Sequence, residues 1–227
     1  LKNTIPHLKE HLSRIAVLGF MKFTKKEILD LDRFYRGNLI NSITGIKSLH
    51  LLGSQDEAGK TNLALFSQVI HMGADPALMG ILFRPVMPGM HSLSNIEKTG
   101  FFTLNHVLES MLSQAHWTSA KWEQSEFEKV GLQAEYLDDF PAPFVKESAL
   151  KIGLSFAEKT LFPINGTTFV IGRIENIWIP EGALAADGFV NLEKAGTMAC
   201  GGLDSYYAPR LVSRFAYAKA EKIPELI

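Results

Sequence analysis

Cysteine is almost absent from this sequence, and so is any excess of charge. The single Cys200 excludes an internal disulfide framework and fits a reducing compartment. Lys and Arg number 23 against 24 Asp and Glu, a formal net charge of -1. Such a balance provides no overall field to draw nucleic acid or an anionic membrane. No apolar run reaches the ~20 residues of a membrane-spanning helix. The apolar stretch 15–20 is shorter than the ~7–15 residues of a secretory signal core and lacks a convincing small-residue cleavage site. The expectation is a cytoplasmic protein with neither a nucleic-acid nor a membrane partner.

Compact catalytic signatures are missing as well. There is no Gly-x-Gly-x-x-Gly turn, no Gly-x-Ser-x-Gly elbow and no His-Glu-x-x-His helix. Gly53 to Thr61, Gly-Ser-Gln-Asp-Glu-Ala-Gly-Lys-Thr, imitates a phosphate loop but has five residues between its glycines. Amides that wrap a phosphate require four, and Asp56 and Glu57 would repel it. A hairpin turn centred on 56–60 fits this stretch better. The seven histidines are scattered. His7 and His11 have helical ligand spacing without a third ligand, and His50 and His71 read as strand-face residues. Cys200 reads as a small buried hydrophobe.

What is present is a chain of 227 residues, 46% hydrophobic, large enough to bury roughly 70–75% of the surface its unfolded form exposes. Residues 1–20 read as an N-terminal extension, either a short amphipathic helix or sequence extraneous to the natural protein, the second being preferred. Residues 21–227 read as one working domain. Thr24 and Glu27 form a capping-box pattern before a helix over 25–36. Thereafter the period falls to two, with strands around 43–52, 61–71, 78–84 and 101–107. A two-turn helix over 92–100 takes Ser92 as its N-cap, turns Leu93 and Ile96 inward and ends at Gly100. Residues 107–116 read as helical. Ser125 and Glu128 form a second capping-box pattern. Strands follow at 147–158, 168–179 and 212–219, with Asn165-Gly166 as a hairpin turn. The layout is mainly β with inserted helices and suits a barrel better than a βαβ array.

Three pieces of sequence converge on one ligand type. Thr61-Asn62-Leu63-Ala64-Leu65-Phe66-Ser67 combines polar and small residues that let a planar ligand approach the backbone. Arg84-Pro85 ends an apolar strand and leads through a Pro/Gly loop to His91-Ser92 at a helix start. A helix N-terminus beside cationic groups is a ready phosphate cradle. Pro143 to Ser148 and Ile171-Gly172-Arg173-Ile174 follow in the second half.

In this order, the segments resemble the flavin reductase-like family of FMN-binding split β-barrels. The resemblance spans roughly 21–219. It is strongest at Asn41 to Gly45, Thr61 to Ser67, Ser92 to Asn105, Gln114 to Lys121, Ala142 to Ser148 and Gly201 to Tyr207. It implies a Greek-key split barrel, a homodimer and FMN near the dimer interface. The implied cofactor-binding residues are Asn62, Leu63, Ala64, Phe66 and Ser67 along the flavin ring, and Arg84, His91, Ser92 and Asn95 around the phosphate. One departure stands out: relatives commonly carry a basic residue where this chain has Met90.

The resemblance further implies an NAD(P)H-dependent flavin reductase, with hydride passing from NAD(P)H to flavin and electrons leaving to free flavin, a redox partner protein or ferric iron. No side-chain acid or base is required for that transfer, so no catalytic residue is assigned. His106 and Lys146 are candidates for supporting the site, against a plain strand histidine and a surface lysine. A flavoredoxin-like electron carrier is the alternative. An oxidase of the pyridoxamine-phosphate type is a third reading, for which no arginine-rich substrate site is evident.

Overall fold

A computed structural model describes residues 19–85, 87–88 and 90–227. His7, His11 and most of the expected extension lie outside the described residues.

The N-terminal helix divides in two. Thr24 and Glu27 form the expected reciprocal cap on α1 (Lys25–Asp30), which stops at an extended Leu31. The Asp32 carboxylate then accepts from Phe34 N and Tyr35 N and starts α2 (Arg33–Ser42). A single helix over 25–36 is therefore corrected. An aspartate at this point satisfies the orphan amides of a new first turn better than it continues an old helix.

The apolar stretch 43–52 is likewise divided. A turn with Gly45 at φ 83° precedes β1 (Ile46–Ser48), and β2 (His50–Gln55) follows. β3 (Thr61–Phe66) and β4 (Val69–Ala74) replace the single strand 61–71, because the chain leaves one sheet edge at Ser67-Gln68 and returns at the other. β5 (Ala77–Phe83), α3 (Ser92–Thr99) and β6 (Phe101–His106) fall close to expectation. A short 3-10 turn, α4 (Leu112–Trp117) and α5 (Glu126–Val130) follow. The second capping box does not form. Ser125 makes no side-chain cap bond, and its hydroxyl pairs with Thr61 Oγ1 at 2.7 Å.

After the two-residue strands β7 (Ala134–Glu135) and β8 (Phe144–Val145), β9 (Lys151–Phe162) and β10 (Thr167–Trp178) make a long hairpin. Gly166 turns it at φ 73°, and Asn165 Oδ1 accepts from Thr167. β11 (Ala199–Gly201) and β12 (Ser205–Tyr207) complete a small sheet with β1. Residues 212–219 are not a strand. They make isolated bridges only, Phe215 to Leu226 and Lys219 to Lys222, because the tail folds back and pairs with its own last residues instead of extending along a sheet.

The main sheet is antiparallel, in the order β3-β2-β6-β9-β10-β5-β4. Register shifts at Ile171/Gly172 and Ile174/Asn176 in β10 supply the bends that let long strands curl. Gly172 suits the bend because a Cβ there would stand 2.7 Å from the Phe102 ring. Curling brings Phe66 of β3 against Phe83 of β5, ring centroids 4.8 Å apart, although the two strands are not paired. The result is mainly β and split rather than continuously hydrogen-bonded.

Alternation along the strands sorts side chains into two cores. Leu52, Phe102, Leu104, Ile152, Leu154 and Val170 fill the concave side, with Ile96 of α3 as a plug. Leu49, Leu51 and Leu63 face outward beneath Met111, Ala115, Phe127 and Val130. The helices between β6 and β7 therefore cover one wall, and α3 closes one end.

Candidate flavin site

The β2–β3 hairpin sets the position of the first candidate residue. Asp56 Oδ1 accepts from Ala58 N and Lys60 N, both at 2.9 Å, with Gly59 at φ 80°. This stretch is the expected turn and not a phosphate loop. It places Asn62 opposite Ser54 in the β2–β3 register. Asn62 Nδ2 donates to Ser92 Oγ at 2.9 Å and lies 3.5 Å from Ser54 Oγ, while Asn95 Nδ2 donates to Ser54 Oγ at 3.3 Å. All four side chains are buried. A closed set of hydrogen bonds is what allows polar groups to sit at the end of an apolar core.

The network changes the expected role of Ser92. His91 occupies the N-cap position of α3 and makes no side-chain cap bond, and Ser92 is the first helical residue. The hydroxyl is committed to Asn62, whose amide outcompetes the helix's own first-turn N–H groups for it. The N-terminus of α3 thus has neither a side-chain cap nor an acidic residue in its first turn. Arg84 is exposed just beyond β5 and makes no ion pair among the described residues. Uncapped amides, the positive end of the helix dipole and an exposed guanidinium suit a phosphate.

The structure thus brings Asn62, His91, Ser92 and Asn95 together, whereas Leu63, Ala64, Phe66 and Ser67 run away along β3 and Arg84 follows β5 outside this group. Six residues of strand cover roughly 20 Å. Leu63 is fully buried, and its N–H donates to Glu126 Oε2 at 3.0 Å. Ala64, Phe66 and Ser67 are half-buried, and Ser67 lies against the Cys200 thiol. β3 is the outer strand of the sheet, so this line of backbone has one side not taken by a neighbouring strand. Between Asn62, His91, Asn95, Trp122 and Glu126 lies a cleft of about 90 Å³. Cofactor pockets run to roughly 300–1,000 Å³. The notch is thus too small for a flavin by itself, and a larger open hollow of about 450 Å³ lies apart from it, lined by Gln68, Ile70, Leu82, Phe162, Thr167 and Phe169.

Ser54 and Glu126 were not anticipated. Ser54 is legible only through strand alternation, as the polar residue in line with His50 and Leu52. Glu126 carries no sequence signal, because its contact depends on α5 lying across the edge of β3.

His106 and Lys146 take their plainer roles. Lys146 is exposed and reaches Gln133 Oε1. His106 is buried, with Nε2 3.2 Å from His50 Nε2 and Nδ1 3.3 Å from Thr197 Oγ1. Burial depresses both histidines, His106 to about 4 and His50 well below its ordinary value, the latter also repelled by His106. His71 is an exposed strand residue. Cys200 is buried and unpaired, and burial pushes its thiol up, away from reactivity. No group of three or more potential metal ligands occurs among the described residues.

Comparison with known proteins fits this geometry. The profile of the Flavin reductase like domain matches residues 47–194. The chain belongs to the flavin reductase-like family. A split-barrel protein of Shewanella frigidimarina, provisionally assigned as a flavin reductase, shares 46% identity over 88% of this chain and 100% of its own, with a TM-score of 0.85. Nitrilotriacetate monooxygenase component B of Bacillus cereus aligns over 88% of this chain and 100% of its own at 16% identity and a TM-score of 0.73. The flavoredoxin of Desulfovibrio vulgaris aligns over 77% and 91% at 20% identity and a TM-score of 0.63. These last two show a shared fold. No curated protein matches. Membership makes this flavin reductase-like protein a flavin-related oxidoreductase on a split-barrel fold, and no helix among its described residues is long and apolar enough to cross a membrane.

Proposed function

We propose that this protein is an FMN-dependent NAD(P)H:flavin reductase that works as a homodimer in the cytoplasm. The observation that carries this reading is the junction of β3 and α3. There the buried Ser54–Asn62–Ser92–Asn95 network holds an uncapped helix N-terminus.

FMN, when bound, supplies hydride chemistry between NAD(P)H and an acceptor. The chain's part is binding, orientation and access. Arg84 and the first amides of α3 hold the phosphate, and His91 flanks them. Asn62 positions Ser92 and thereby the helix start. The Ala64–Ser67 backbone borders the ring, and Leu63 and Phe66 give it an apolar wall. Met90 brings no charge to this region, so Arg84 carries the main electrostatic share. The small volume of the notch supports a site completed by a second copy. The exposed edge around β4 and the tip of the β9–β10 hairpin, with Ile70, Met72, Phe162 and Ile164 uncovered, supports the dimer.

Arg84→Ala is expected to weaken FMN binding by roughly 1.5–3 kcal/mol through the charge-assisted contact removed, and Ser92→Ala by a further ~0.5–1.5 kcal/mol through the lost Asn62 bond that positions the helix start. Isothermal titration with FMN measures this, and unchanged affinity would move the phosphate elsewhere. The reductase claim has its own test in aerobic oxidation of NADH and NADPH with FMN added. Turnover of either nucleotide supports it. FMN binding without turnover of either returns the protein to the electron-carrier reading.

A further inference from the structure

The outward edge of β3 has a parity that its pairing with β2 fixes. Opposite residues of an antiparallel pair alternate between exchanging both backbone bonds and exchanging none. Asp56 N donates to Lys60 O at 3.1 Å, one step beyond the Gln55–Thr61 pair. Leu63 N turns away from β2 and donates to Glu126 Oε2 at 3.0 Å. Leu51, opposite Leu65, has its carbonyl directed to Asn105 Nδ2 on the other side, at 3.0 Å. All three bonds give one pattern, and the register runs without a shift from Gln55–Thr61 to His50–Phe66. Asn62, Ala64 and Phe66 therefore direct their N–H and C=O groups to Ser54, Leu52 and His50. Thr61, Leu63 and Leu65 direct theirs away from the sheet.

The first half of that outward edge is already occupied. Lys60 Nζ donates to Glu123 O at 3.1 Å, the Thr61 and Ser125 hydroxyls are 2.7 Å apart, and Glu126 holds the Leu63 N–H. Phe127 and Val130 are buried in the outer core and fix α5 in this place. A carboxylate on a backbone N–H is a charge-assisted bond, and here it stands in for a neighbouring strand. No hydrogen bond from residues 123–126 reaches Leu65. Its N–H and C=O have no partner among the described residues, while its side chain packs on the outer core.

We infer that Glu126 is a positioning residue for the flavin ring: it closes β3 at Leu63 and leaves Leu65 as the backbone position that takes the ring's imide edge. The inference rests on the flavin reading above and assigns roles to two residues to which that reading gives none. The pyrimidine ring of a flavin presents an N–H flanked by two carbonyls. Leu65, with N–H and C=O on the same side, offers the complementary acceptor and donor. Ala64 and Phe66 offer neither, because both groups of each face β2. An uncovered Leu63 would present a second such pair two residues away, roughly 7 Å along the strand. Glu126 thus selects one of two equivalent positions for the ring.

Amide exchange resolved by residue, on the full chain with and without FMN, tests this assignment. In the wild type FMN should slow the Leu65 amide about tenfold or more, whereas the Leu63 amide is slow in both states. Glu126→Ala should speed exchange at Leu63 in the free protein and weaken FMN binding about tenfold. Glu126→Gln, whose side-chain carbonyl still accepts, should restore both. The analogue 3-methyl-FMN lacks the imide N–H and should bind the wild type about tenfold more weakly than FMN. Circular dichroism checks that each variant is folded, and the two wild-type measurements decide the matter without any variant. FMN binding that leaves the Leu65 amide unchanged overturns the inference while the flavin reading stands, and so does equal binding of FMN and 3-methyl-FMN. Glu126→Ala that binds FMN as tightly as wild type removes Glu126 from positioning and overturns it too. No FMN binding by the folded wild type overturns both readings.

Discussion

Gly53→Ala is expected to destabilise the protein by roughly 3–5 kcal/mol, near the upper end for an overpacked site that also loses a buried hydrogen bond. A Cβ at this position would stand 2.2 Å from Pro143 O and 2.6 Å from Thr103 Oγ1. Neither atom can retreat cheaply. Pro143 O is backbone, and it accepts the Thr103 hydroxyl at 2.7 Å. Asn105 Nδ2 donates to Thr103 Oγ1 at 2.9 Å and to Leu51 O at 3.0 Å, while Asn105 Oδ1 accepts from Val145 N at 3.0 Å. These bonds stitch β2 and β6 to β8, so the methyl group would push apart the segment that carries Ser54. Thermal unfolding should show a fall in Tm on the order of 10 °C, and FMN affinity should drop with it. Gly182→Ala is the control, because a Cβ there meets nothing within 4 Å and the backbone needs no positive φ. Equal melting of Gly53→Ala and wild type would mean that the Pro143 segment does not lie against β2.

Acidification from pH 7 to pH 5 is expected to remove roughly 2 kcal/mol of stability through His106, with His50 adding to the loss in the same direction. Both imidazoles are buried, their Nε2 atoms are 3.2 Å apart, and His50 Nδ1 has no hydrogen-bond partner. One Nε2–H can donate to the other only while at least one Nε2 is unprotonated, and burial disfavours a charge on either ring. The folded pKa values lie below the unfolded value of about 6.5, His106 at about 4 and His50 held well below its ordinary value by burial. The unfolded chain therefore binds more protons as pH falls. The penalty is absent above about 6.5, grows through the interval below it, and for His106 is complete beneath about 4 at roughly 3 kcal/mol. Denaturant unfolding at fixed pH values from 7.5 to 5 measures the slope, within a window above most carboxylate titrations. His106→Asn should flatten it. A stability that is level across that window would show the pair to be charged or hydrated in the folded protein.

Both predictions concern residues whose identity is plain in the sequence and whose consequence is not. His50 was legible as a strand-face residue, and Gly53 as part of a false phosphate loop. That His50 meets His106 depends on β2 pairing with β6 across 56 residues of chain. The same holds for Ser54. It gains meaning only when α3 returns to place Asn95 over it.

The local readings that held share a cause. Capping of α1, the hairpin turns at 56–60 and 165–166, and the αL end of α3 at Gly100 depend on residues within four positions of one another. Those that failed depended on competition from afar. Ser92 was drawn from capping to Asn62, and Ser125 from its box to Thr61, each by a partner at least 30 residues away. The expected strand at 212–219 forms only isolated bridges, to Lys222 and Leu226.

From its sequence alone this chain was determined to be a mainly β protein with inserted helices, and the order of its segments pointed to the flavin reductase-like family. Those properties follow from periodicity, turn chemistry and collinearity, which are written along the chain. Tertiary structure alone decided which polar residues share one buried network and which edge of β3 is covered. Such features arise where segments distant in sequence compete for the same hydrogen bonds and the same buried area, and only the folded arrangement resolves that competition.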